Sequence, residues 1–486
     1  LTLSITQLCK ISVMTENKNP DSIKPADSGD VEQELYQKRK KIYPREVHGL
    51  FAALRVGGVS ALLGFYYIMP WIMWDGRQAI LFDLPERKFY ILGMVFWPQD
   101  FIYLTMILVI AALSLFFFTA LAGRLWCGYA CPKTVGTEAF LWMERKIEGT
   151  RQQQIKLDKM PWNRKKLSKK FTKHLVWIVF SLYTGFTFVG YFTPIRELVV
   201  NIPAFTLGGW ETFWILFYGF ATYGNAGWLR EQVCTFMCPY ARFQSAMFDK
   251  DTLLIAYDEK RGEPRGSRKR GADIEQSGLG SCIDCSICVQ VCPTGIDIRD
   301  GLQYQCIGCA ACIDACDDVM DKMGYPRGLV RYTTEHTLEG GHTDVLRPRI
   351  VVYALILLAI TIGSIIGIIN RPMLELDIIR DRNSLFRETG MGLVENVYTL
   401  KLINKDQAAH NFEIGIEGIE GMKLNMQSDT IEVASGDVIE VPVSIEIDPE
   451  QLKKRTTTVH FTMKARDNDE LFIVEEARFL GPYPGR

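Results

Sequence analysis

Three observations divide the 486-residue sequence. Five windows of roughly 18 or more residues carry no charge, eight cysteines fall into two evenly spaced quartets between 282 and 316, and segments within 371–486 alternate apolar with polar residues. Together they predict a multi-domain membrane protein. It should hold five transmembrane α-helices, an inserted two-cluster bacterial ferredoxin-like module, and a C-terminal immunoglobulin-like β-sandwich.

A bilayer core about 30 Å thick needs roughly 20 helical residues at ~1.5 Å each. The windows Val56–Trp74, Phe101–Gly123, Leu175–Ile195, Thr212–Leu229 and Ile350–Asn370 meet that length. Phe101–Gly123 is the cleanest and ends at Arg124, whereas Thr212–Leu229 is the most polar. Apolar residues make up 48% and charged residues 23%, with a formal net charge of −1. Uncharged windows beside densely basic stretches exclude both an ordinary water-soluble globule and a long disordered chain. The near-neutral balance gives no support for nucleic-acid binding.

Short basic loops set the orientation. Lys38–Lys41 and Arg45 precede the first span, twelve Lys and Arg residues lie between Lys133 and Lys173, and Lys260–Arg270 follows the fourth span. The loop after the first span has only Arg77, Arg87 and Lys88 against Asp75, Asp83, Glu86 and Asp100. All basic blocks share one side if the N-terminus is cytoplasmic, and five crossings then put the C-terminal region in a bacterial periplasm. The first 47 residues are polar, so no secretory signal peptide is expected. Met14-Thr15-Glu16-Asn17 reads as a more natural start than Leu1, so residues 1–13, with Cys9, are expected to be absent from the cellular protein.

The boundaries read as a polar cytoplasmic tail over 1–47, a four-helix region over 48–250, a flexible basic linker over 251–281, the ferredoxin-like module over 282–349, the fifth span over 350–370 and the sandwich over 371–486.

The module carries Cys282-x2-Cys285-x2-Cys288-x3-Cys292-Pro293 and Cys306-x2-Cys309-x2-Cys312-x3-Cys316. A tight C-x2-C-x2-C turn places three thiolates around one corner of an iron–sulfur cube, and in two-cluster ferredoxins the fourth comes from the other motif. The expected sets are Cys282, Cys285, Cys288 and Cys316 for one [4Fe–4S] cluster, and Cys306, Cys309, Cys312 and Cys292 for the second. Structural zinc sites use two separated pairs instead. Such a module moves single electrons and has no substrate pocket of its own.

Two further pairs repeat one pattern, Cys127-x3-Cys131-Pro132 after the second span and Cys234-x3-Cys238-Pro239 after the fourth. At i, i+4 two side chains face the same way, and proline turns the preceding cysteine out of the helix. Brought together, the two ends collect four thiols beside the membrane, on the same side as the clusters. Soft thiolates favour Cu(I), zinc or another iron–sulfur cluster, and low-pKa cysteines at helix ends also form redox-active dithiols. A permanent disulfide does not suit a reducing cytoplasm. Met237 is read as packing, and His48 and His174 as capping or snorkelling residues.

In the C-terminal region, Val397–Leu402, Thr430–Val433, Val438–Ile445 and Thr458–Met463 alternate in the manner of strands between turn residues. The region has no cysteine, and His410 and His460 stand alone on strand-like segments, so docking is its expected role.

The assembled motifs resemble the FixG/CcoG/RdxA family of membrane-bound ferredoxins, accessory to maturation of cbb-type cytochrome c oxidase. The resemblance runs from about Lys41 onward. It rests on Trp74–Ala79, Phe82–Pro85, Phe96–Asp100, both C-x3-C-P elements, the paired cysteine quartets and Asp381–Glu388. What it implies is a cupric reductase of the bacterial inner membrane, with Cys127, Cys131, Cys234 and Cys238 handling copper. Implied partners are membrane lipid, a cytoplasmic or quinol electron donor, and copper-handling proteins or oxidase subunits. The alternatives are quinol-linked electron transfer as in NapH-type proteins, and an assembly scaffold in which redox chemistry is secondary.

Overall fold

The computed structural model describes residues 41–74, 76–270, 278–406 and 408–482. Residues from Tyr43 on form one unit. The N-terminal tail up to residue 40, with Met14 and Cys9, lies outside the described residues.

Among the described residues, three helices are long and apolar enough to cross a bilayer. Helix α1 (Leu50–Ile68) continues as a 3-10 turn to Trp71, α2 spans Phe101–Ala122, and α14 spans Pro348–Ile369. At most 11% of each apolar window is covered by protein. Side chains left so bare in a folded chain require hydrocarbon around them. Helices α2 and α14 run together, with the Tyr103 hydroxyl donating to the Gly367 carbonyl at 2.9 Å.

Of the five expected spans, three are helices of this kind. The first window was placed six residues late, because Arg55 sits inside α1 and its guanidinium is satisfied by the Cys309 carbonyl at 3.1 Å. After α2 come α3 (Leu125–Tyr129), α4 (Pro132–Glu148) and α5 (Arg151–Lys159). The third window lies in α6 (Arg164–Val189), whose first half carries Lys166, Lys169, Lys170 and Lys173. These charges are not left in lipid. Lys173 and Lys170 reach Glu148 at 2.9 Å each, and Arg230 reaches Glu144 at 2.6 Å, all of them shielded from solvent. Helix α7 (Ile195–Ala204) follows. The fourth window is not one regular helix: α8 (Gly209–Thr222) has 14 residues, and a π-helical stretch, Tyr223–Leu229, continues it. Fourteen residues reach only ~21 Å, short of the bilayer core.

The loop after α1, read for its charges and its family motifs but not for structure, folds. Strands β1 (Met73–Trp74) and β2 (Arg77–Gln78) pair, and β3 (Ile80–Asp83), β4 (Lys88–Ile91) and β5 (Met94–Phe96) form an antiparallel sheet. Buried Gln78 donates to the carbonyls of Ile80 and Gly190 at 2.7 Å, tying this sheet to the end of α6.

Residues 251–281 are not simply a linker. They begin with β6 (Leu254–Tyr257), which pairs antiparallel with β7 (Val330–Thr333), Leu254 opposite Thr333. The module therefore starts near Leu254, ahead of its first cysteine. Short α10 (Glu259–Gly262), α11 (Ile287–Val291) and α12 (Ala311–Met323) complete it, and α13 (Glu335–Glu339) leads towards α14. Ahead of these, α9 (Pro239–Met247) follows the second cysteine pair.

The C-terminal region is a sandwich of two antiparallel sheets. One runs β12 (Lys423–Asn425), β14 (Val438–Ile447), β10 (Val394–Asn404), β8 (Leu374–Arg380), with β9 (Arg387–Glu388) also on β10. The other runs β13 (Thr430–Val433), β11 (His410–Glu417), β15 (Thr456–Ala465), β16 (Phe472–Leu480). Tyr398, Leu400, Leu402, Phe412, Phe461 and Phe479 fill the space between them. The Asn396 amide bridges the sheets, donating to the Leu480 carbonyl at 2.7 Å and accepting from its N–H.

Candidate functional site

The two cysteine quartets fold alike. Asp284 and Gly308, each just before the second cysteine of its motif, take positive φ of 52° and 69°. Ser286 and Ala310, each just after it, both sit at 55°, at the N-caps of α11 and α12. A left-handed residue without glycine costs on the order of 1–3 kcal/mol, and three of these four are not glycine. Successive left- and right-handed residues turn backbone N–H groups towards one point, the concave anion nest common at iron–sulfur sites. The backbone strain thus points to a negatively charged group in each loop.

The eight cysteines line two cavities, with Cys288 on both. One is lined by Cys282, Cys285, Cys288 and Cys316, together with Tyr257, Arg299 and Leu329. The second is lined by Cys288, Cys292, Cys306, Cys309 and Cys312, with Ile255, Ile298 and Ile307 around them. Burial pushes the Cys288 thiol up to about 11 and the Cys309 and Cys316 thiols up to about 12. Such dry sulfurs become thiolates only beside added positive charge, which iron supplies. The donor set, cavities and nests therefore fit two iron–sulfur cubes.

The cavities differ in surroundings. Cys285 is exposed, so the first opens to solvent, while Cys309 of the second is buried. Arg299 beside the first is neutralised by Asp297 at 2.6 Å and Asp284 at 2.5 Å.

The membrane-edge pairs also fold alike. Cys127 lies in α3 and Cys234 in a π-helical turn, Val233–Met237. Cys131 and Cys238 are the extended N-cap residues of α4 and α9, with Pro132 and Pro239 at the first helical position. Proline fits there because that N–H has no helical partner. The side chains of Cys127 and Cys234 pack on one cluster built of Val291, Ile307, Cys309 and Ala311, beside the second cavity. Burial pushes Cys127 up to about 12, with Cys131 adding to the rise and Gln244 and Arg124 opposing it. Cys234 is raised by burial and drawn back mainly by Lys133. The two pairs thus share one electrostatic neighbourhood. Among the described residues, no three His, Cys, Asp or Glu side chains close on one point as a mononuclear metal site would.

The contact between membrane edge and module is backbone on backbone. A methyl group placed on Gly128 would meet the Gly308 carbonyl oxygen at 2.6 Å, and one on Gly308 would meet the Arg124 carbonyl oxygen at 3.0 Å. Glycine at both positions permits the approach.

Sequence reasoning missed several residues here. Arg124, noted only as the end of a span, donates to the carbonyls of Tyr304, of Cys306 (2.8 Å) and of Ala241 (2.7 Å). Gln244 is fully buried and accepts from the Cys127 thiol at 3.4 Å. Neither has a motif to mark it. His174 Nδ1 lies 2.9 Å from the Tyr223 hydroxyl, and His48 is exposed. His410 does not stand alone: it lies between Asp406 at 2.9 Å and Asp467 at 2.7 Å.

Fold and site define a membrane-associated iron–sulfur protein of electron-transfer, oxidoreductase-like type. Known proteins agree. A model described as a 4Fe-4S dicluster domain matches residues 229–335, a 4Fe-4S binding domain matches 104–149, and the IG-like fold at the C-terminal of FixG matches 364–482. Protein RdxA of Cereibacter sphaeroides is 38% identical over 426 residues, 84% of this chain and 88% of its own. Nitrogen fixation protein FixG of Rhizobium meliloti is 37% identical over 453 residues, 85% of each chain. A crystal structure of a FixG-related protein from Vibrio parahaemolyticus is 36% identical and covers 22% of this chain and 95% of its own, with a TM-score of 0.21. The chain belongs to the FixG/RdxA family.

Proposed function

We propose that this protein is a cupric reductase: electrons cross the ferredoxin-like module and reduce Cu(II) to Cu(I) at the membrane-edge cysteines. Cys282, Cys285, Cys288 and Cys316 would hold one [4Fe–4S] cluster, and Cys306, Cys309, Cys312 and Cys292 the other. When bound, the clusters supply one-electron carriers. The exposed Cys285 edge gives a low-potential donor its access. The observation that carries the reading is the packing of Cys127 and Cys234, one cysteine from each pair, on the shell of Cys309 beside the second cavity. Thiolates at Cys127, Cys131, Cys234 and Cys238 bind Cu(I) far better than Cu(II), and so favour the reduced ion. Each Cu(II) takes one electron, and the donor loses one.

The basic loops support a cytoplasmic N-terminus and module in a bacterial inner membrane. The 26-residue α6 is long enough to serve as a further crossing, and α8 with its π-helical extension would be another. These bring the total to five and place the sandwich in the periplasm, where docking of copper-handling proteins or oxidase subunits would suit it. Anaerobically purified protein given a low-potential donor should turn over Cu(II). Cys127→Ala with Cys131→Ala should abolish turnover while the iron content stays. Full activity in that variant would reject the copper site.

A further inference from the structure

Two buried arginines flank the second cysteine loop, and neither forms an ion pair among the described residues. Arg55 comes from inside α1 and gives Nη1 to the Cys309 carbonyl at 3.1 Å, while its Nε is buried without a hydrogen-bond partner. Arg124, at the end of α2, spends its guanidinium on three neutral carbonyls, that of Cys306 among them. Both are under a tenth exposed. Two carboxylates act on Arg55 without bonding it: Glu138, which pairs with Arg145 at 3.2 Å, and Asp314, whose oxygens accept the N–H groups of Phe51 and Ala52. The first cavity has the opposite arrangement, because Arg299 is cancelled by two carboxylates.

We propose that Arg55 and Arg124 are positioning residues that raise the reduction potential of the second cluster above that of the first, making electron flow towards the membrane edge downhill. This rests on the reading that both quartets hold clusters. Carbonyl acceptors orient a guanidinium without neutralising it, so its charge stays unopposed in a low-dielectric setting where it acts strongly. Adding an electron makes a cluster more negative, so a fixed cation beside it favours the reduced form. One electron then leaves the site of Cys282, Cys285, Cys288 and Cys316 and arrives at that of Cys292, Cys306, Cys309 and Cys312, with no bond or proton moved. Arg55 lies in α1 and Arg124 just past α2, at the N-cap of α3, so the gradient exists only while the module is docked on them.

The test is a potentiometric titration of the full-length protein followed by low-temperature paramagnetic resonance, which needs no copper. Two one-electron steps are expected. In Arg124→Gln and in Arg55→Gln, one step should move to lower potential by at least a tenfold change in its equilibrium, about 59 mV for one electron. It should be the step that Cys292→Ser perturbs, and Arg124→Lys should restore most of the shift at its site. If both glutamine variants retain full iron and sulfide but keep both potentials, or if the step that moves is the one Cys316→Ser perturbs, the proposal is overturned. Should one variant fail to fold, the other and the lysine variant still decide it. A wild-type protein with no cluster signal would instead refute the underlying assignment.

Discussion

Asp100 and Arg371 form a buried ion pair joining the head of α2 to the residue pair that follows α14. Arg371 also donates to the Val95 carbonyl at 2.7 Å, and Lys405 reaches Asp100 at 3.4 Å and Glu375 at 2.5 Å. Val95, Trp97 and Ile403 pack beside the pair, with Val438 and Tyr90 around them. The sandwich is thereby locked to the small sheet after α1, at the same ends of α2 and α14.

Removing one partner of a buried pair leaves the other uncompensated and costs about 3–5 kcal/mol. Arg371→Ala should therefore lower the unfolding temperature and expose the junction to protease while leaving the iron–sulfur absorbance intact. Limited proteolysis of the full-length protein checks this. A cleavage pattern identical to wild type would show that the pair does not hold the junction.

A second relation spans 262 residues, where the Asp314 carboxylate accepts from the Ala52 N–H at 2.7 Å and from that of Phe51 at 3.2 Å. It acts as the N-cap that Gly49 cannot provide with a side chain. Losing such a cap costs about 0.5–2 kcal/mol. Asp314→Ala should melt earlier than wild type, Asp314→Asn should lie between them, and both should keep all eight cluster cysteines. Thermal loss of cluster absorbance gives the order.

Gly128→Ala forces a methyl group onto the Gly308 carbonyl. Overpacking of this kind costs about 1–3 kcal/mol. The shift falls between the four membrane-edge thiols and the second cavity, so the expected result is slower Cu(II) reduction with unchanged iron content. Rapid-mixing kinetics of the pre-reduced protein measure it, and an unchanged rate would mean that this contact does not govern transfer.

The pKa of His410 is raised: burial opposes the charge, but the hydrogen bonds of Asp406 and Asp467 outweigh it. A raised folded value stabilises the protonated form, fully below the unfolded value of about 6.5 and progressively less as pH rises through the folded value. Wild type should therefore lose stability from about pH 6.5 upward more steeply than His410→Gln. Thermal melts across that range decide it, and parallel curves would remove His410 from the account.

The iron–sulfur character was legible because the x2-x2-x3 spacing of the two quartets encodes it, and the two x3 pairs stood out as a repeat. The sandwich was legible from alternation. Arg55 was not, because a charge inside an apolar run looks like the end of a span until its carbonyl partner near residue 309 is known. Strand β6 was hidden among basic residues, since its partner lies beyond both quartets. Asp100 with Arg371, and His410 with Asp467, are long-range pairs with no local pattern. The polar groups around the site are set by tertiary contact, and a linear reading carries no signal for them.

The Asp314 cap also bears on how the chain is made. Ribosomes deliver Leu50 long before residue 314 exists, so the leading amides of α1 stay open to water while the later helices are inserted. They close only when the helix carrying Asp314 has folded against them. A chain halted before that step would carry a first helix frayed at its leading turn, a ready mark for quality-control proteases.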